Sequence, residues 1–185
     1  MTTSSFLHYP YARGHVHVTG PTPEDEIDLV TGILTDPDGF DLAMAMWMYK
    51  KQREIVRRLD LYRGEVALLH PPFDSSSGAA CKKRDGPLPP DIKDIAYTAA
   101  DDEVLAKWVK ERVAQSLHSI GTCKMAPPDA GGVVDYHLRF YGVDALRIAD
   151  LSVVPVHMAA NTANTAFAIG EKAGDLFASE LGCGK

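Results

Sequence analysis

Long apolar runs are missing from this 185-residue chain. Its greasiest stretch, AMAMWMY from Ala43 to Tyr49, falls far short of the roughly 20 residues that span a bilayer. The opening MTTSSFLHYP has neither a basic start nor an apolar core, so no signal peptide is expected. Cysteine is scarce: Cys81, Cys123 and Cys183 are odd in number and form no C-x-x-C pair or zinc spacing. Reduced thiols in an intracellular, cytoplasmic setting are the expectation. A basic excess is absent too. Asp and Glu number 25 against 19 Lys and Arg, and the net charge of −6 argues against a nucleic-acid or anionic-membrane partner. Glycine-rich phosphate cradles are also lacking. There is no G-x-G-x-x-G, no P-loop and no G-x-S-x-G, and the sole G-x-G is Gly182 to Gly184. What remains is globular composition, 45% apolar and 24% charged, which suits a single domain over residues 1–185 with a core of its own.

GHVHVTG, from Gly14 to Gly20, alternates and is closed by glycines. It predicts a strand with Val16 and Val18 on one face and His15, His17 and Thr19 on the other. Two histidines at this spacing can share a metal. Without a third ligand nearby they read as a polar face in water. DGFDLAMAMWMYKKQREIVRRLDLY predicts a helix from Phe40 to Tyr62, begun by Gly39 and Asp41, with Leu42, Met46, Tyr49, Val56 and Leu59 at helical spacing. Its basic half, Lys50 to Arg58, suits the negative end of the helix dipole, and its methionines and Trp47 read mainly as core. Proline pairs then bracket a Ser-, Gly- and Lys-rich stretch, which predicts an exposed loop over 71–97 with Lys82, Lys83 and Arg84 in water.

A second helix is expected from Asp101 to Gln115, with Thr98 and Asp101 as a T-x-x-D start and Leu105, Trp108 and Val109 in its apolar stripe. It delivers the chain to SLHSIGTCKM. His118 in that stretch is open to three readings: a base, a metal ligand, or a histidine that satisfies buried backbone groups. The residues alone favour the last. GGVVDYHLRFYGVDALRIADLSVVP predicts short strands joined by glycine turns and stopped by Pro155. A last helix is expected from Thr162 to Leu181, ended by Gly182. Its Ala166, Gly170, Gly174 and Ala178 lie four apart. Each interior glycine costs about 1 kcal/mol against alanine, which calls for close approach by another backbone.

HSIGTCKM, GGVVDYHLRFYGVDALRIADLSVVP and ANTANTAFAIGEKAGDLF, in this order and spacing, resemble the C-terminal signature of the glucose–methanol–choline (GMC) oxidoreductases. YARGHVHVTG resembles the strand that opens the family's substrate domain, and DPDGFDLAMAMWMYKKQREIVRRLD is similar to the helix that follows it in the alcohol (methanol) oxidase branch. The likeness covers most of the chain; the loop around 71–97 matches poorly. The resemblance implies an α+β fold, a mostly antiparallel sheet with long helices on one face, and the helix–strand order agrees. It implies FAD-dependent alcohol oxidation, with His118 as the catalytic histidine and Asn161 at its partner position. It implies that Asp150, Leu151, Asn161 and Thr162 lie along the flavin, and that the helix at 161–182 packs on an FAD-binding domain that this stretch of sequence lacks.

Three functions stay open on this reading. The first is the substrate-binding and catalytic half of an oxidoreductase acting on a hydroxylated small molecule, with FAD held by a separate chain. The second is a cofactor-free acid–base enzyme, an isomerase, dehydratase or cyclase that reuses His118 in the emptied flavin pocket. The third is a non-catalytic binding or assembly domain. The small-residue face of the last helix should be covered by the flavin-domain chain or by a second copy in a homodimer.

Overall fold

The computed structural model describes residues 3–183. Three helices, α1 (Phe40–Arg57), α2 (Ala99–Arg112) and α3 (Ala163–Glu180), accompany one antiparallel hairpin of β1 (His15–Val18) and β2 (Ile27–Val30). This is an α+β architecture with a small sheet. The chain divides into two compact units. One holds the residues up to Arg13 together with Gly32–Ala114, and the other holds Gly14–Thr31 together with the residues from Gln115 onward.

In the first unit α1 packs on α2. α1 begins at Phe40, as its sequence predicts, but its first-turn N–H groups are met by Asp36, whose carboxylate accepts from Phe40 and Asp41. Asp41 is itself buried and accepts from the N–H groups of Tyr11 and Ala12. α1 ends at Arg57, short of the expected Tyr62, because Leu59 and Tyr62 close tight turns onto the carbonyls three residues back. Its buried residues are polar: Asp41, Arg53 and Glu54. Part of the basic half is therefore buried. Arg53 is only 4% exposed. Its guanidinium grips Glu65 with two bonds of 2.6 and 2.7 Å, donates to the Tyr97 hydroxyl and the Ala79 carbonyl, and lies over the rings of Tyr49, Phe73 and Tyr97. Burial works against its charge, but Glu65 outweighs that and holds it firmly protonated. Trp47 and Ile55, by contrast, face water.

α2 opens at Ala99, two residues before its sequence suggests, with the capping box complete. Thr98 accepts from the Asp101 N–H, and Asp101 accepts from the Thr98 N–H. Leu105 and Val109 are its buried pair. The intervening stretch over 71–97 has no helix or strand. It still buries Pro71 and Ala79, and it supplies the Ala79 carbonyl and the Tyr97 hydroxyl that Arg53 needs.

In the second unit Val134, Leu138, Val153 and Ala173 form the core, with Ile169, Leu176 and Phe177 packed against it. The segment from Gly132 to Pro155 builds this core through isolated bridges, Val134 with Phe140 and Arg139 with Arg147, rather than through the short strands its pattern suggests. Left-handed residues at Leu138, Gly142 and Ala145 turn the chain too often for a ladder to extend. In the hairpin, Val16 pairs with Leu29 and Val18 with Ile27, and all four side chains are exposed. Gly14 must be glycine, since a Cβ there would lie 2.1 Å from the Val30 carbonyl oxygen. α3 matches its expected span to within one residue at each end, and Gly182 follows it in the left-handed conformation.

Both units leave apolar side chains in water. The accessible surface totals 13127 Å², against about 10,500 Å² for two separate folded globules of half this mass. Phe167 on α3 is 75% exposed. Methyl groups built onto Gly170 and Gly174 would meet nothing within 4 Å. Among the described residues no helix is long and apolar enough to cross a membrane.

Candidate active site

The second unit brings the two chemically suggestive sequence blocks together. Cys123 donates its N–H to the Ser152 carbonyl at 3.0 Å, and Met125 donates to Val153 at 2.8 Å. These bonds dock the HSIGTCKM segment beside the single turn at Leu151–Val153. Asp150 caps that turn by accepting from the Ser152 N–H at 2.7 Å. Gly121 sits at φ 83°, where a side chain would be strained, and a Cβ would press the Val154 carbonyl at 3.3 Å.

His118 and Asn161 meet as a result. The imidazole Nε2 lies 2.9 Å from Asn161 Oδ1. The backbone on each side is unusual. Leu117, directly before the histidine, has φ 61°, and Ala159, two residues before the asparagine, has φ 54°. Both are L-residues in the left-handed region, a conformation that persists only where the surrounding structure enforces it. Leu117 is 82% exposed, so burial of its own side chain is not what enforces it. The Leu117 backbone and, next, the Asn161 side chain hold the His118 pKa above the ordinary histidine value. His118 is half-buried, while Asn161 is exposed and open to an incoming molecule.

The same unit carries an open hollow of about 470 Å³, lined by Ser119, which follows His118 in the chain, and by Ile120, Thr122, Ala149, Asp150 and Leu151 together with Ser152 and Ala166. Of the expected cofactor-contacting residues, Asp150 and Leu151 line it. Thr162 is buried at the start of α3, beside Asn161, and its side chain caps none of the helix N–H groups. The first turn of α3, which contains Ala166, thus keeps free donors and the positive end of its dipole. The remaining sequence candidates lie apart from this site. His15 bonds Asp28 at 3.1 Å and stacks on His17 on the exposed hairpin. Among the described residues no group of three or more His, Cys, Asp or Glu could hold a metal ion. All three cysteines are free.

Two features were invisible to sequence reasoning. One is the left-handed backbone at Leu117 and Ala159, because neither residue type announces it. The other is the ring of His157, whose Nδ1 accepts the Ala159 N–H at 3.1 Å.

Comparison with known proteins places the chain in a defined context. The family model described as GMC oxidoreductase matches residues 10–170. The alcohol oxidase of Pichia angusta is 37% identical over 98% of this chain and 34% of its own length. Alcohol oxidase 1 of Komagataella phaffii is 34% identical over the same shares. An FAD-dependent oxidoreductase from Chaetomium thermophilum superposes with a TM-score of 0.67 at 25% identity, covering 94% of this chain and 26% of that one. The chain therefore spans about a third of the length of the curated relatives it matches.

Proposed function

The chain belongs to the GMC oxidoreductase family, and from that premise we propose that its second unit is the substrate side of an alcohol-oxidising site, with His118 as base and Asn161 as hydrogen-bond partner. The observation that carries this reading is the 2.9 Å contact of His118 with Asn161 in the unit that also carries an open hollow lined by Ser119, Ile120, Asp150 and Leu151. Oxidising an alcohol to a carbonyl removes a proton from oxygen and a hydride from carbon. An imidazole nitrogen accepts the proton, and the neighbouring amide, whose Oδ1 accepts from His118 Nε2, offers its NH2 as a donor to orient the hydroxyl. His118 works in its neutral form, so the rate rises with pH through its elevated pKa.

The residues present fit one face of a bound FAD. Ile120, Leu151 and Ala166 give the hollow apolar lining, and Ala166 belongs to the first turn of α3, which Thr162 leaves uncapped. Asp150, Leu151, Asn161 and Thr162 are the residues that would hold it. When bound, FAD supplies the hydride acceptor, which no side chain here can be. Its phosphates call for a glycine-rich turn, and no such motif occurs in this sequence. The cofactor would thus be held jointly with a polypeptide carrying a family flavin domain. That polypeptide covers the open face of α3 around Ala166, Phe167, Gly170 and Gly174, and the substrate is a hydroxylated small molecule.

The test is an absorption spectrum of the purified chain with FAD, alone and together with a GMC flavin-binding polypeptide. Visible flavin absorbance that stays with the pair through gel filtration supports the reading. Turnover of a substrate by colourless protein, lost in His118→Ala, would replace it with cofactor-free acid–base chemistry. Self-association through α3, with no gain of flavin, would assign that face to a homodimer.

A further inference from the structure

We propose that Tyr49 and His70 form a one-electron redox site within the first unit: an oxidising equivalent that reaches Trp108 passes to Tyr49, and the phenol proton moves to His70 Nδ1 as the electron leaves. The site uses neither His118 nor Asn161, so it stands or falls apart from the alcohol-oxidising reading.

The Tyr49 hydroxyl lies 2.8 Å from His70 Nδ1, within the reach of a working base. Burial, opposed by Arg53, raises the phenol's pKa, so the hydroxyl keeps its proton until it is oxidised. Burial also lowers the His70 pKa, against the pull of the Glu65 carboxylate, so at neutral pH the ring is neutral and Nδ1 accepts. A phenol that loses an electron becomes a strong acid, and a base already in place lets electron and proton leave together. Tyr97 gives the contrast inside the same cluster. Its hydroxyl accepts from the Arg53 guanidinium at 3.0 Å and so faces a cation rather than a base. Trp108 supplies the way in, with its ring centroid 5.6 Å from that of Tyr49. Its Nε1 is buried with no hydrogen-bond partner among the described residues, and the Arg112 guanidinium lies 5.4 Å from its ring centroid. An oxidised Trp108 therefore has no group to take its proton and remains a cation beside a cation. An oxidised Tyr49 becomes a neutral phenoxyl, so the oxidising equivalent runs downhill to it. A radical oxidant takes one electron from Trp108, and Trp108 takes one from Tyr49. The O–H bond of Tyr49 breaks as an N–H bond forms on His70. A one-electron reductant of the ascorbate class returns the electron, and His70 returns the proton.

The test is pulse radiolysis of the full chain carrying Trp47→Phe, with the azide radical as oxidant. Trp47 is exposed, and its replacement leaves Trp108 as the sole tryptophan. The tryptophanyl absorption should decay as the tyrosyl absorption rises, at a rate independent of protein concentration and slower in deuterium oxide. Three further variants, each confirmed folded by far-ultraviolet circular dichroism, are made in this parent. Tyr49→Phe should abolish the phase. His70→Gln keeps a hydrogen-bond acceptor but loses the base, and should slow the phase about 100-fold. Tyr97→Phe should leave the rate unchanged. A folded Tyr49→Phe or His70→Gln with the parent's rate overturns the proposal. So does loss of the phase in Tyr97→Phe, which would move the radical to Tyr97, and so does a parent rate equal in the two solvents. Should Tyr49→Phe fail to fold, His70→Gln and the solvent comparison still decide.

Discussion

His118 Nε2 and Asn161 Oδ1 stand 2.9 Å apart although 43 residues separate them in the chain. Their meeting depends on two main-chain bonds, Cys123 to Ser152 and Met125 to Val153, that zip the segments carrying them together. The contact stabilises the protonated imidazole and so raises its pKa, after the larger effect of the Leu117 backbone. A group with a raised folded-state pKa contributes stability below its unfolded value and loses it as pH rises through the folded value. Asn161→Ala should therefore destabilise the chain more below pH 6 than above pH 8. Urea unfolding at the two pH values measures the difference, and an equal loss at both would deny the linkage.

Leu117 carries a left-handed backbone with its side chain in water. An L-residue costs roughly 1–2 kcal/mol in that region, and glycine returns part of the gain as unfolded-state entropy. Leu117→Gly should raise stability by about 1 kcal/mol. A denaturant midpoint that falls would contradict the strain.

Arg53 and Glu65 are both largely buried and bonded at two points. Removing one partner strands the other charge, which typically costs 3–5 kcal/mol. Arg53→Ala should reach about that range, whereas the double change Arg53→Met with Glu65→Leu should recover much of it. Equilibrium unfolding of the three variants checks both statements.

Burial, and then Glu65, push the Cys81 thiol up to about 11, while Cys183 is exposed. The thiolate is the reactive form. Ellman's reagent at pH 8 should label Cys183 in the folded chain long before Cys81, with Cys81 catching up only in denaturant.

Much of this was legible in the residues. The start of α1, the capping box of Thr98 and Asp101, the span of α3 and the alternation of β1 all follow from local chemistry that sequence displays. So does the family, through the blocks around His118, Asp150 and Asn161. Other features arise only from tertiary partners. Arg53 reads only as one of the cations that suit the end of α1, and its buried role emerges once Glu65, Ala79 and Tyr97 are folded around it. The segment from Gly132 to Pro155 has strand-like residues, but its left-handed turns break every ladder after one bridge. Ala159 and His157 look unremarkable in sequence, because a hook between a ring and a main-chain N–H leaves no pattern.

The open face of α3 makes opposite demands in the isolated chain and in the proposed complex with a flavin-binding polypeptide. Gly170 has nothing within 4 Å of a built Cβ, so Gly170→Ala should stabilise the separate chain by about 1 kcal/mol. Gly170→Leu should leave the chain folded and block its union with a flavin-binding polypeptide. Gel filtration of the mixture, read at flavin wavelengths, reports that union.

The most direct measurement is anaerobic reduction of flavin in the complex of this chain with a GMC flavin-binding polypeptide, followed in a stopped-flow cell after adding a primary alcohol. The account predicts bleaching with the wild-type chain and a rate at least about 100-fold lower with His118→Ala, although the mutant complex holds the same amount of flavin. Equal bleaching rates in the two complexes would contradict it.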